Sequence, residues 1–538
     1  MLTRSIAALT ALFVLLGIPA MPARAQAGRP KLVVFLVVDQ MRGDYPVRYA
    51  SLMDKGLKRL TTQGAWFKNA AYPYLTTLTC VGHATIGTGT LPWRHGMINN
   101  AWYDRDTEKA VSCNSDPNTT EVSYATSQGT GDSAFRMMTP TLAETMHGTL
   151  KSRVATMSMK ARSAIGLAGH EGDFVTWFGD RAAWETSSAF TKTPIPWFLA
   201  WVKANPVDQD ADKVWDRMLP ENRYQGSDDN EWEHGGPGWT PKFPHPLGKS
   251  GDAAFFQHWL QSPYPDVYLE RMAEAAVDEM HLGTEDRTDF LGVSFSMLDT
   301  VGHAFGPASH EAQDVFARID TVIGTLLDFL DKKVGADNYV VALAADHGVA
   351  DIPEQSHSGG RVSMAAVRGL MEASMKQSLG GEGPFVTATS AADIYLKPGV
   401  FEKLKEKKGA LKALLDAAGS VPGVGRMLSS DEISTPAART SKDAQIRAAA
   451  LSYFPGRSGD LFVIPKENWL LVAAGTTHGS WYSYDQRVPV LLYGAGIKPG
   501  AYNDAATPAD IAPTIARIVG VQLPAPDGRV LTSALKQP

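Results

Sequence analysis

The stretch Leu32-Val33-Val34-Phe35-Leu36-Val37-Val38-Asp39 is an unbroken apolar run that ends on a carboxylate. It shows no alternation of apolar and polar residues, so it reads as a strand covered on both faces, as in a parallel sheet. Four further runs have the same character: Val154–Met159, Leu291–Leu298, Tyr339–Ala345 and Val488–Tyr493. Helical patterns lie between them. The clearest starts near Ser309 and puts Val315, Ile319, Val322, Ile323, Leu326 and Leu330 on one face. Near the C-terminus, Thr507-Pro508-Ala509-Asp510 has the form of a helix cap with proline at the first helical position. Strands alternating with helices predict an α/β fold, with a doubly wound, mostly parallel central sheet sandwiched by helices. Two stretches interrupt the rhythm, near 180–260 (rich in Trp, Pro, Gly and Asp) and near 355–466, and both read as inserted cap segments over the sheet. The charged piece Glu402–Lys408 reads as a solvated helix face.

The 538 residues are 44% hydrophobic and 20% charged, which is globular composition. A net charge of -6 offers no basic surplus for a dedicated nucleic-acid partner. Arg4, the apolar Ile6–Ile18 and Ala23-Arg24-Ala25 predict an export signal over residues 1–25, cleaved before Gln26. The mature chain, 26–538, is then expected outside the cytoplasm, periplasmic or secreted, and off the membrane. Cys80 and Cys113 can pair in an oxidising compartment. Two cysteines cannot build a thiolate-rich metal site, so any ion is left to histidine and carboxylate.

Three strand runs end alike, at Asp39, at Asp299 and at Asp346-His347. Ligands of open α/β sheets bind beyond the strands' carboxyl ends. Three carboxylates gathered there repel one another unless a cation sits among them. A lone Asp after a strand is commonly a helix cap, but His303 follows Asp299 by four residues around a turn glycine, and His347 adjoins Asp346. His478 adds a third imidazole from a polar loop. Oxygen and nitrogen donors without thiolate suit zinc in an open catalytic site. They divide into two sets, Asp299, His303 and His478 for one ion, and Asp39, Asp346 and His347 for another. Two ions about 4 Å apart suit in-line displacement at phosphorus.

The segment Val37 to Arg42, the block Thr79-Cys80-Val81-Gly82-His83, and His95 to Asp104 occur in one order with Lys160-Ala161-Arg162, Asp299-x-x-x-His303, Ala345-Asp346-His347-Gly348 and His478-Gly479-Ser480. Together they resemble the threonine-nucleophile alkaline phosphatases of the PhoK and PafA type, in the alkaline phosphatase superfamily, and more distantly the nucleotide pyrophosphatase/phosphodiesterases. The resemblance spans most of the mature chain. It implies that Thr79 is the nucleophile and also a zinc ligand beside Asp39, Asp346 and His347. It implies two Zn2+ per site, and that Asn100, Lys160 and Arg162 hold the non-bridging phosphate oxygens, with Asn99 an adjacent alternative to Asn100. The implied activity is alkaline phosphatase, hydrolysing small phosphate esters through a phosphothreonine. The family's usual proline after the nucleophile block is absent here, where Cys80-Val81 precede Gly82.

Two cations beside the nucleophile favour the dianion of a monoester over a diester, which carries one fewer charge. A phosphodiesterase of the same fold is the nearest alternative, and a non-catalytic zinc-binding protein the second. A sulfatase would need Cys or Ser in a Cys/Ser-x-Pro/Ala-x-Arg setting, which Cys80-Val81-Gly82-His83-Ala84 lacks. Other histidines, among them His83, His95, His170, His310 and His357, are read as structural hydrogen-bonding residues. No local signature encodes additional Ca2+ sites or the oligomeric state.

Overall fold

The structure, a computed structural model, describes residues 28–127 and 129–537. The expected signal segment 1–25 lies outside them. Eleven strands form one sheet, in the spatial order Gly500–Ala506, Ala65–Ala70, Val490–Gly494, Tyr339–Ala344, Leu32–Val38, Asp289–Phe295, Val154–Ser158, Phe174–Phe178, Trp184–Ser187, Ser115–Ser123 and Thr130–Asp132. The five central strands, from Tyr339–Ala344 to Phe174–Phe178, are parallel. Val490–Gly494 and Trp184–Ser187 then pair antiparallel to that block.

The strand Leu32–Val38 explains the layering. Its even-numbered residues Leu32, Val34, Leu36 and Val38 enter one apolar cluster with the helices Tyr264–Glu279 and His310–Lys333. Its odd-numbered residues Val33, Phe35 and Val37 enter a second, with the helices Leu142–Leu150 and Ile511–Val519. Side chains alternate across a strand, so a run apolar at every position must be covered twice. Each fully buried side chain of this size contributes about 2 kcal/mol. The helix predicted from Ser309 runs His310–Lys333, with Ser309 Oγ accepting from Ala312 N at 3.0 Å and Lys332 and Lys333 at its negative end. Thr507 caps a single tight turn, Pro508–Asp510, which leads into Ile511–Val519.

Some expectations change. Val488–Tyr493 is realised as Val490–Gly494 and lies antiparallel, because an apolar run records burial and not pairing direction. The run Leu291–Leu298 divides into the strand Asp289–Phe295 and the helix Met297–Phe305, so Asp299 and His303 share a helix and Gly302 sits inside it rather than in a turn. Residues 180–260 supply the sheet strand Trp184–Ser187 and send Trp184, Trp215 and Trp259 into the main core. Within 355–466 a separate antiparallel sheet forms, ordered Val386–Ser390, Asp393–Leu396, Leu461–Pro465 and Val424–Ser429. It has its own apolar cluster, built with the helices Met364–Leu379, Val400–Glu406 and Ala410–Gly419. None of the described helices is long and apolar enough to cross a membrane.

Candidate active site

The parallel strands deliver their carboxyl ends to one edge, and the expected residues meet there. Asp39 follows its strand directly, and its backbone N–H donates to Phe295 O at 2.9 Å, locking neighbouring strand ends together. Asp346 follows Tyr339–Ala344 by two residues, Lys160 follows Val154–Ser158 by two, and Asp299 lies on the first turn of its helix. Thr79 begins the helix Thr79–Thr88, which is buried on every side.

Three imidazoles are oriented alike. His347 Nδ1 is 3.0 Å from Gly348 O, His303 Nδ1 is 2.8 Å from Thr476 O and His478 Nδ1 is 2.8 Å from Thr77 O. Donation from Nδ1 to a carbonyl leaves each Nε2 with a lone pair, the usual preparation of a metal-binding histidine. His303 Nε2 and His478 Nε2 lie 3.1 and 3.7 Å from Asp299 Oδ1. His347 Nε2 is 3.4 Å from both Asp39 Oδ1 and Asp346 Oδ2, and 3.3 Å from Thr79 Oγ1. The His347 and His478 rings stack at 3.4 Å. Two groups bring donor atoms within 4.8 Å of one another, Asp299 with His303 and His478, and Asp39 with Asp299 and His347. The first is the expected set. The second contains Asp299 in place of Asp346, because the Lys160 ammonium draws Asp39 Oδ2 to 2.6 Å and Asp299 Oδ2 to 2.5 Å. Asp346 Oδ1 meanwhile accepts from the backbone N–H groups of Gln40 and His347.

The electrostatics describe a pocket short of positive charge. Burial, and then the Asp299 and Asp346 carboxylates, push Asp39 well above the usual carboxylate range. Burial also opposes ionisation of Asp299, but Lys160 and His303 outweigh it and hold it well below. Burial pulls His303 down, yet Asp299 beside it raises it to about 9. Burial and the His347 and His303 rings hold His478 well below its ordinary value. Asp39 Oδ1 and Asp346 Oδ2 are buried without a hydrogen-bond partner. Such orphaned carboxylate oxygens, facing prepared imidazole nitrogens, fit divalent cations bound by nitrogen and oxygen.

Asn100 reaches the site through the helix Thr79–Thr88, its Oδ1 accepting from Cys80 N at 2.9 Å. Its neighbour Asn99 is committed elsewhere, donating from Nδ2 to Ser390 O and Oγ at 3.3 and 3.2 Å. Arg162 sits on the helix Ala161–Ala168, its charge acting on Lys160 and its Nε buried without a partner. The two cysteines are bonded to each other.

Two residues at the site were not singled out for it. Gln40 takes a left-handed conformation, φ 67°, and donates from Nε2 to Asp299 Oδ1 at 2.6 Å. A positive φ away from glycine is costly and gathers at functional sites; the residue's only sequence signal was its place directly after Asp39. His83, set aside as structural, lies 3.3 Å from Asp346 Oδ2. It also meets Thr79 O and Ser294 Oγ, each at 2.8 Å, tying the helix Thr79–Thr88 to the strand Asp289–Phe295. The helical spacing from Thr79 was the available clue.

Carboxylates, imidazoles and the Thr79 hydroxyl at the carboxyl edge of a large α/β sheet, in a fold shared with known alkaline phosphatases, define a phosphoric ester hydrolase. The crystal structure of wild type alkaline phosphatase PafA superposes with a TM-score of 0.87 at 32% identity, covering 95% of this chain and 99% of that one. The alkaline phosphatase PafA of Elizabethkingia meningoseptica is 35% identical over 92% of both chains. The alkaline phosphatase PhoK of Sphingomonas sp is 30% identical over 93% of this chain and 91% of its own. The model of the type I phosphodiesterase / nucleotide pyrophosphatase family matches residues 33–485, and the chain belongs to that family.

Proposed function

We propose that this hydrolase is an exported, zinc-dependent alkaline phosphatase that cleaves phosphate monoesters through a phosphorylated Thr79. The observation that carries the reading is Thr79 Oγ1 at 3.3 Å from His347 Nε2, at the rim of the two donor groups. Asp299, His303 and His478 would hold one ion, and Asp39, Asp346, His347 and Thr79 the other. Bound zinc supplies Lewis acidity that favours the threonine alkoxide and offsets charge on the leaving oxygen. Thr79 gives up its hydroxyl proton and its Oγ forms a bond to phosphorus while the bond to the leaving oxygen breaks, and the leaving group takes up a proton and departs as the alcohol. Water then adds to phosphorus and the Thr79 Oγ–P bond breaks, releasing inorganic phosphate and restoring the hydroxyl. Asn100, Lys160 and Arg162 meet the equatorial oxygens, where the loose transition state spreads its charge. Asn100 is preferred to Asn99, whose amide is spent on Ser390. Export is supported by the pattern of residues 1–25 and by the Cys80–Cys113 bond, which persists in oxidising compartments.

Thr79→Ala should keep two equivalents of zinc by metal analysis and lose turnover of p-nitrophenyl phosphate by roughly three orders of magnitude or more. Retained turnover would remove Thr79 from the chemistry. The family's description favours one second reading, a diesterase. A higher kcat/KM for bis-p-nitrophenyl phosphate than for the monoester would establish it.

A further inference from the structure

Asn100 and the nucleophile's helix are joined in a closed ring. Cys80, the residue after Thr79, is bonded through sulfur to Cys113. Cys113 N–H donates to Asn100 O at 3.0 Å, extending the hairpin in which Ala101 faces Ser112. Cys80 N–H closes the ring on Asn100 Oδ1 at 2.9 Å. Asn100 N–H is taken by Asn99 Oδ1 at 2.7 Å, and Asn99 is fastened to Ser390. Of the polar groups of Asn100, the backbone oxygen, the backbone N–H and Oδ1 are thus all engaged, which leaves Nδ2 to donate to a ligand.

We infer that the Cys80–Cys113 disulfide is a positioning element for the reaction, holding Asn100 Nδ2 in fixed relation to Thr79 Oγ1 so that it meets a phosphoryl oxygen. This rests on the reading of Thr79 as nucleophile and Asn100 as a phosphate ligand. A bond closing 33 residues stabilises a fold whatever else it does, so stability cannot discriminate, and coupling to Asn100 can. The zinc-loaded wild type, C80A/C113A, N100A and the triple variant are to be compared in kcat/KM for p-nitrophenyl phosphate and in inhibition by inorganic phosphate. Circular dichroism fixes a temperature at which all are folded.

Removing the disulfide and removing Asn100 should each cost about tenfold or more, since a misplaced donor forfeits most of its effect. The triple variant should match N100A to within about twofold, the signature of a shared route. Phosphate inhibition should weaken in C80A/C113A. A phosphine reductant should reproduce the loss in wild type and leave C80A/C113A unchanged. Losses that multiply in the triple variant, or a disulfide-free enzyme with wild-type kcat/KM and only a lower melting temperature, would overturn the inference. An N100A enzyme of wild-type activity would instead fault the reading of Asn100. Should C80A/C113A not fold, phosphine treatment of wild type and N100A supplies the same comparison.

Discussion

At the scale of single residues, the site depends on a few charges whose effects separate by substrate. Lys160 bonds both Asp39 and Asp299, and Arg162 follows it two residues later with a buried, unpartnered Nε. Replacing Lys160 or Arg162 by alanine should reduce kcat/KM for a monoester by about 100-fold or more, the cost of losing a placed charge. It should reduce the rate for a diester less, because a diester presents one fewer charge. Paired assays of the two p-nitrophenyl esters would show the difference, and equal losses would count against it. A second residue bears on pH. Asp393, fully buried in the accessory sheet, accepts from Gly459 N at 2.7 Å and is pushed up to about 7 by burial, with Arg105 pulling it down and Asp460 raising it further. The folded protein therefore keeps this proton where the unfolded chain has released it. Stability falls as pH rises from about 4 to about 7, by an amount on the order of a few kcal/mol. Asp393→Asn keeps the acceptor and cannot ionise. Its melting temperature should equal that of wild type near pH 4 and exceed it at pH 8, with the gap opening between.

At the scale of elements, the helix Thr79–Thr88 shows why Thr79, the proposed nucleophile, is so firmly placed. A Cβ at Gly82 would collide with the Asp346 carbonyl oxygen, and one at Gly87 with the carbonyl of Gly166. The helix can approach the Asp346 segment and the helix Ala161–Ala168 this closely only through glycine. Gly82→Ala should cost about 1–3 kcal/mol from overpacking, and, by shifting Asp346, should lower zinc content by metal analysis as well. A variant with normal metal content and activity would show that Asp346 tolerates the displacement. How far sequence alone reached is also clearest here. Leu32–Val38 and Tyr339–Ala344 were legible because burial on both faces leaves no polar position in the run. The helix from Ser309 was legible because its cap and its 3.6-residue stripe agree. The break between Phe295 and Met297 was not, since Ser296 interrupts an apolar run too briefly to mark a change from strand to helix. Asp39, Asp299, Asp346, His303 and His347 were readable from the ends of apolar runs and from spacing, and His478 as a further imidazole in a polar loop. The parts played by Gln40 and His83 depend on a strained backbone and on tertiary approach, which no local pattern records.

At the scale of the whole molecule, the site and the sheet stabilise one another. The pocket collects three carboxylates from three parallel segments, and two of their oxygens, Asp39 Oδ1 and Asp346 Oδ2, have no protein donor. Ions that bind the folded chain and not the unfolded one raise its stability by mass action. Chelation should abolish turnover and also lower the melting temperature by several degrees, and added zinc should restore both. A melting temperature indifferent to chelation would mean that the carboxylates are accommodated without metal.

The accessory sheet has its own apolar cluster, yet it is not a detachable module. The last residue of its edge strand, Ser390, takes two hydrogen bonds from Asn99 and gives one to Ala101 O at 2.6 Å. Anyone building chimaeras from this enzyme and its relatives would cut through that joint if the boundaries followed the sheet alone. Ser390 and the Asn99-Asn100-Ala101 turn should be transplanted as a unit, because a foreign sheet without a matching hydroxyl would free the turn that carries Asn100.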